Sequence, residues 1–193
     1  MLLMDPVELF ERCCGETERV VAGVRPNALA QPTPCAQWDV RALLNHVVGT
    51  LVVFADALEN RTPAAPPDPL AHGAPDLVGR RPLAAYQEAA ERALKASRRE
   101  GALDTTYPSA FGDMPGGALF GFTTMDVLVH GWDIARATDQ QVALDPELAE
   151  AVLGFARQAI MPAMRGTSIG PEIDVAADAP VGDRLLAFVG RRP

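Results

Sequence analysis

His130 has a carboxylate one helical turn before it, and this pair is the feature of the chain with the clearest chemical meaning. Asp126 and His130 are four residues apart, so on a helix they lie about 40° apart on one face. Asp133 follows on nearly the same face, and His46 lies among Leu and Val residues in another helical stretch. Because a buried imidazole needs a polar partner, two such faces turned towards each other predict a His, Asp, His metal site.

Imidazole nitrogens and carboxylate oxygens are ligands for divalent ions such as zinc and nickel. The predicted ligands are His46, Asp126 and His130, and Asp133 is predicted to orient an imidazole N–H from outside the ligand set. Three protein ligands leave a position open for water or substrate, which is typical of catalytic sites. The spacing of Asp126 and His130 also fits a plain hydrogen bond between neighbouring turns, and this alternative stays open.

Arg136 is a candidate for binding an anionic group of a cofactor, although a salt bridge with Asp133 or Asp139 explains its position equally well. Cys35 is the one cysteine considered as a nucleophile, but no histidine is near it in sequence. A buried or structural thiol is therefore the favoured interpretation. The glycine-rich stretch 112–117 lacks the Lys-Ser/Thr ending of a phosphate-binding loop.

Two tryptophans and the third histidine are given ordinary roles. Trp38 and Trp132 are predicted to pack between helices rather than to stack on a ligand. His72 lies next to Gly73 in a loop, with no ligand pattern around it.

The composition describes an ordinary globular protein with an acidic surface. The chain has 193 residues, 48% hydrophobic and 22% charged, and a net charge of -8. Such a charge argues against nucleic acid and against an anionic membrane as partners. Three cysteines without CxxC spacing indicate free thiols in a reducing cytoplasm. The N-terminus lacks the pattern of a signal peptide, and we expect no apolar run that approaches the ~20 residues of a membrane span.

Apolar residues at spacings of three and four predict an all-α protein. Asp-Pro pairs predict two helix starts, at residues 5–6 and 145–146, and Asp39 is the predicted N-cap of the second helix. The predicted helices run from Pro6 towards Pro26, from Trp38-Asp39 through Leu58, from Leu83 to Glu100, from about Leu119 to Thr138, from Asp145 to about Met164, and from Asp183 to Val189. Residues 105–107 are predicted to be extended, residues 111–117 a flexible loop beside the site, and residues 173–180 irregular.

These elements predict a four-helix bundle with one or two accessory helices. We expect residues 1–193 to form a single domain. Residues 61–82 would be a Pro/Ala-rich linker within it, and residues 165–193 a C-terminal extension.

Two stretches resemble one known family. Thr33-Pro34-Cys35, followed by Trp38-Asp39-Val40-Arg41 and His46, resembles the start of the mycothiol-dependent maleylpyruvate isomerase N-terminal family. The run from Asp126 to Thr138 is similar to the second signature of that family, which belongs to the DinB-like superfamily of metal-binding four-helix bundles. The segments 170–172 and 183–188 are similar to the tail of a short, single-domain subgroup.

The resemblance implies a DinB-like bundle in which His46, Asp126 and His130 match the metal ligands. Asp126 stands where the family usually has Glu, a side chain longer by one methylene. Zinc is the first choice of metal and nickel the second, and the implied cofactor is a low-molecular-weight thiol such as mycothiol. The isomerases carry an additional C-terminal domain that this chain is expected to lack, so maleylpyruvate isomerisation itself does not follow.

The leading functional prediction is a metal-dependent thiol transferase or isomerase acting on a small electrophile. Two alternatives stay open. One is a non-catalytic bundle that binds a metal or a small molecule, and the other is a metal-free biosynthetic enzyme whose histidines act as general acid and base. Bundles with apolar outer stripes often dimerise, so a homodimer is also considered.

Overall fold

The computed structural model describes residues 4–61, 74–109, 112–166 and 169–193. His72 and much of the predicted linker 61–82 lie outside the described residues. The contacts group the chain into two compact units, Pro6–Val142 and a second unit that contains Ala143–Pro193 with Met4 and Asp5. The second unit thus begins well before residue 165. The expectation of one domain over residues 1–193 stays a prediction.

The unit Pro6–Val142 is a four-helix bundle with a small hairpin, which confirms the all-α fold class. Each helix packs against two others, in the cyclic order α1, α4, α2, α3. The helices are α1 Pro6–Ala22, α2 Val40–Leu58, α3 Pro82–Ser97 and α4 Gly116–Ala137. The hairpin strands are β1 Thr106–Ser109 and β2 Gly112–Pro115.

The hairpin corrects the prediction of a flexible loop at residues 111–117. β1 and β2 pair antiparallel, with Thr106 opposite Pro115 and Tyr107 opposite Met114. β1 includes part of the stretch predicted to be extended. β2 was missed because four residues that begin with Gly and end with Pro carry little of the alternating apolar pattern of a strand. The hairpin packs against α2 and α4, and these helices carry the predicted metal ligands.

Three phenylalanines from three helices form the centre of the bundle. Phe10 of α1, Phe54 of α2 and Phe120 of α4 are at most 1% exposed. Their rings meet edge to face, with centroid distances of 5.0 to 6.3 Å, a favourable arrangement for aromatic pairs. This contact fixes the relative positions of α2 and α4 at one level of the bundle.

α2 is a core helix with an unusually apolar sequence. Among the described residues it is the one helix long and apolar enough to cross a membrane, which corrects the expectation of no such stretch. However, 67% of its most apolar window is buried inside the protein, as is usual for the central helix of a bundle.

The unit that contains Ala143–Pro193 has two helices, α5 Pro146–Ala159 and α6 Val181–Phe188, which pack against each other. The predicted extension of the fifth helix to Met164 is wrong. The helix ends at Ala159, and Pro162 begins a separate 3-10 turn. Pro162 has no N–H for a helical hydrogen bond, and it disfavours helical geometry at the residue before it. The described residues between 173 and 180 are irregular, as predicted.

Candidate metal centre

His46 and its neighbours are positioned by the start of α2. The Asp39 side chain accepts the Ala42 N–H at 2.8 Å, which confirms Asp39 as the N-cap. The next turns bury Leu43 and Leu44 completely. His46 therefore lies at the edge of this buried face, with its side chain 19% exposed.

The side chains of His46, Asp126 and His130 come together between α2 and α4. The His46 Nε2 atom lies 3.1 Å from Asp126 Oδ1, and the His130 Nε2 atom lies 3.4 Å from the same oxygen. The two imidazole rings are nearly perpendicular, with centroids 5.0 Å apart. Three potential ligand atoms thus lie within 4.8 Å of one another, as the sequence predicted. That they bind a metal stays a prediction.

The second oxygen of Asp126 shows that this cluster suits a cation. A carboxylate oxygen only accepts hydrogen bonds, so both imidazoles reach Oδ1 either through an N–H or through a shared positive ion. Asp126 Oδ2 is buried and has no hydrogen-bond partner in the protein. Because an unpaired buried carboxylate oxygen is unfavourable, a divalent ion that binds Asp126, His46 and His130 fits the donors present.

The pKa shifts of Asp126 and His130 also fit a site that binds a cation. Burial alone raises the pKa of Asp126, but the charges of His46 and His130 and the hydrogen bonds from their rings outweigh burial and hold this pKa well below its usual range. Burial lowers the pKa of His130, but the charge of Asp126 and the hydrogen bonds to Asp126, Asp133 and Cys35 together outweigh burial and raise this pKa well above its usual value.

Asp133 holds the other side of the His130 ring, as predicted. Its Oδ2 atom lies 2.9 Å from His130 Nδ1, and the residue is fully buried. Since the carboxylate only accepts, Nδ1 carries the proton and Nε2 faces Asp126. An Asp–His pair of this kind is the usual arrangement behind a metal-bound imidazole.

Cys35 belongs to the same network, which the sequence patterns did not predict. Its Sγ atom lies 3.3 Å from Asp133 Oδ2 and 3.7 Å from His130 Nδ1. The sequence disfavours Cys35 as a reactive group because no histidine is near it in sequence, but His130, 95 residues away, lies beside it in the fold. The TPC…W motif was the one available signal, since it places Cys35 shortly before the helix that carries His46.

A compact turn places Cys35 and Trp38 beside the site. The Thr33 hydroxyl donates to the Trp38 carbonyl at 2.9 Å and accepts the Cys35 N–H at 3.1 Å. The Trp38 N–H closes the turn on the Cys35 carbonyl at 3.0 Å. The turn includes Gln37 in the left-handed region, with φ of 80°, which non-glycine residues seldom adopt.

Trp38 packs against the two imidazole rings of the site. Its ring lies 4.7 Å from the His46 ring and 6.2 Å from the His130 ring, centroid to centroid. Trp132, in contrast, is buried at 6% exposure, which agrees with the predicted packing role.

Arg136 lies apart from the cluster. It is exposed in the last turn of α4, six residues beyond His130 and therefore on another side of the helix. Its guanidinium lies over the Trp132 ring, 5.6 Å from the centroid. Its predicted role in cofactor binding stays a prediction.

Comparisons with known proteins identify the relatives of this chain. The family model described as the mycothiol maleylpyruvate isomerase N-terminal domain matches residues 10–135. Two uncharacterized proteins of Mycobacterium tuberculosis, from strains CDC 1551 / Oshkosh and H37Rv, are each 36% identical to this chain over 190 residues. The match covers 97% of this chain and 98% of theirs.

The structural comparison shows the fold. The crystal structure of the mycothiol-dependent maleylpyruvate isomerase matches with a TM-score of 0.60 at 15% identity, over 80% of this chain and 68% of that chain. A histidine-to-alanine mutant of that enzyme matches with the same TM-score and coverage, at 14% identity.

Proposed function

The chain belongs to the mycothiol maleylpyruvate isomerase N-terminal domain family, and from this premise we propose that it is a divalent-metal-dependent enzyme of thiol chemistry. In this proposal His46, Asp126 and His130 hold the ion, zinc first and nickel second. The co-substrate is a low-molecular-weight thiol of the mycothiol type, and the reaction is a transfer or isomerisation of a small electrophile. Cys13, Cys14 and Cys35 form no disulfide among the described residues, and a reducing cytoplasm stays the predicted location.

One observation carries the proposal. Asp126 offers a buried, unpartnered Oδ2 atom beside two imidazole Nε2 atoms that both approach its other oxygen. A bound divalent ion lowers the pKa of a coordinated thiol, so that the sulfur is a nucleophile near neutral pH. A chain with these donors therefore has the groups that such chemistry requires.

The surrounding residues shape the approach to the ligands. The exposed side-chain fraction rises from 10% for His130 to 19% for His46 and 24% for Asp126. In this proposal small molecules approach the centre where Asp126 and His46 are exposed. Asp133 keeps the His130 proton on Nδ1, and the Trp38 ring packs against the His46 ring.

Metal content tests the ligand assignment. We expect tag-free protein, incubated with zinc or nickel and then desalted, to retain about one ion per chain by elemental mass spectrometry. His46→Ala and Asp126→Asn should lose the ion and keep the helical circular dichroism signal. His72→Ala is the matched control, because it removes the one histidine outside the predicted set and should retain the ion. An empty wild-type protein, or full metal content in His46→Ala, would contradict the assignment.

Thiol binding is tested separately with cobalt in place of zinc. Adding mycothiol to the cobalt protein should produce a thiolate-to-cobalt charge-transfer band in the near ultraviolet, and the S-methylated compound should not. The titration is repeated in Cys35→Ser so that the protein's own nearby thiol is excluded as the source. Metal binding without this band would favour a bundle that binds metal but does not use a thiol.

A metal-free acid–base enzyme is the second candidate, because His130 is held between two carboxylates. Its Nε2 faces Asp126 and its Nδ1 faces Asp133, and this arrangement raises its pKa. A protonated His130 could act as a general acid. Once a substrate is known, full turnover after exhaustive chelation would support this candidate over the metal enzyme.

A further inference from the structure

Cys35 is a chemically active side chain next to the cluster that the proposed function leaves without a role. Its Sγ atom lies 3.3 Å from Asp133 Oδ2 and 3.7 Å from His130 Nδ1. The His130 Nδ1 atom lies 2.9 Å from the same Asp133 oxygen. A thiol S–H and an imidazole N–H can both donate to that oxygen.

We propose that Cys35 is a positioning residue, which donates its S–H to Asp133 Oδ2 and so holds the carboxylate that orients the His130 ring. The ring is thereby kept with Nδ1–H towards Asp133 and Nε2 towards the cation site. The expected effect of Cys35 on metal affinity rests on the metal centre proposed above. The orientation of the ring itself does not depend on a bound ion.

The burial of Asp133 is the first argument. The residue is 0% exposed, so its carboxylate depends on hydrogen-bond donors within the protein. Cys35 and His130 supply two donors to one oxygen, and the position of one donor limits where the other can lie.

The charge of the centre is the second argument. Asp126 and Asp133 together carry two negative charges, which one divalent ion neutralises when both histidines are neutral. A thiol that keeps its proton adds a hydrogen bond without adding a charge. The geometry of Cys35, close to Asp133 and on the far side of His130 from Asp126, fits such a neutral donor.

The rigidity of the turn is the third argument. Thr33 binds both the Cys35 N–H and the Trp38 carbonyl, and the backbone at residues 31 and 40 is hydrogen-bonded. The Cys35 side chain is therefore presented from a fixed backbone. Orienting groups on fixed elements are those that tune a metal site most effectively.

Zinc affinity in a set of variants provides the first test. We expect Cys35→Ala to weaken zinc binding about tenfold, the lower end of the range for groups behind a metal ligand. Cys35→Ser retains a donor and should bind zinc within about threefold of the wild type. The neighbouring exposed residue offers a control, Ala36→Ser, which should not change the affinity. Wild-type affinity in Cys35→Ala, or equal losses in Cys35→Ala and Cys35→Ser, would overturn the proposal.

A double-mutant cycle tests whether Cys35 acts through Asp133. If it does, Cys35→Ala should have no further effect on zinc affinity in an Asp133→Ala background, which lacks the acceptor oxygen. The same tenfold loss in both backgrounds would show that Cys35 acts by another route and would overturn the proposal.

A measurement on metal-free protein separates this inference from the metal proposal. Proton–nitrogen NMR of the histidine side chains should show a slowly exchanging His130 Nδ1–H in the wild type and in Cys35→Ser, and faster exchange in Cys35→Ala. This result would support the positioning role even if no variant binds metal. Equal exchange in all three proteins would refute the positioning role even if the wild type binds one zinc ion.

Discussion

Gly131 follows His130 in α4 and lies where α1 approaches α4 closely. Replacing Gly131 with Ala tests how tightly these two helices pack beside the site. A Cβ atom at residue 131 would lie 2.3 Å from Thr17 Oγ1 and 3.1 Å from Thr17 Cβ. The first distance is about 1.1 Å shorter than the 3.4 Å at which ordinary contact begins. Thr17 has little freedom to move away, because its hydroxyl donates to the buried Val127 carbonyl at 2.9 Å.

The expected size of the effect follows from two opposing contributions. Overpacking a core typically destabilises by about 1–3 kcal/mol, and the short contact with a fixed partner favours the upper part of that range. Gly→Ala within a helix stabilises by up to about 1 kcal/mol. We therefore expect Gly131→Ala to lower the free energy of unfolding by about 1–2 kcal/mol. For a chain of this length, this corresponds to about 2–8 °C in Tm.

Denaturant unfolding followed by circular dichroism is the assay, with Gly15→Ala as the matched control. Gly15 is also helical, but a Cβ there meets nothing within 4 Å, so this variant should be as stable as the wild type or more stable. In a Thr17→Ala background, Gly131→Ala should lose most of its effect, since the clashing hydroxyl is absent. A Gly131→Ala protein that is as stable as Gly15→Ala would refute the close-contact argument.

Two further predictions concern side chains in the same bundle. Asp76→Asn tests a pH effect, because the wild-type carboxyl accepts the Gly79 N–H and the Asn45 amide and lies 3.0 Å from Arg41. Burial raises the pKa of Asp76, but these partners outweigh burial and lower it below 3.8. The wild type should therefore be more stable than Asp76→Asn above about pH 4. This difference in the free energy of unfolding should disappear as the pH falls and the carboxyl of the folded protein becomes protonated. A difference that grows in acid would contradict the prediction. Tyr86→Phe removes a fully buried hydroxyl that donates to the Cys14 carbonyl at 2.9 Å. Calorimetry should show that the free energy of unfolding falls by about 1 kcal/mol. An unchanged Tm would argue against that hydrogen bond.

Local patterns in the sequence were sufficient for the helices and for half of the candidate site. The Asp126–His130 spacing placed both side chains on one face, because helix geometry is the same wherever a helix forms. Asp39 and the Asp-Pro pairs marked helix starts, because capping involves residues only two or three positions apart. The local signal was too weak to predict the strand β2. The predicted end of the fifth helix was wrong because the helix stops before Pro162.

The meeting of His46 with Asp126 depends on how α2 and α4 pack, since the two residues are 80 positions apart. The need of a buried imidazole for a polar partner predicted this pairing and the family resemblance implied it too, whereas spacing within one helix offered no information about it. Only the tertiary structure placed Cys35 against Asp133 and His130, across 98 and 95 positions. A thiol in a loop shows no periodicity, and its chemistry is set by the neighbours that the folded chain brings to it. The sequence thus determined which groups lie together along each helix, and packing between helices decided which of them meet.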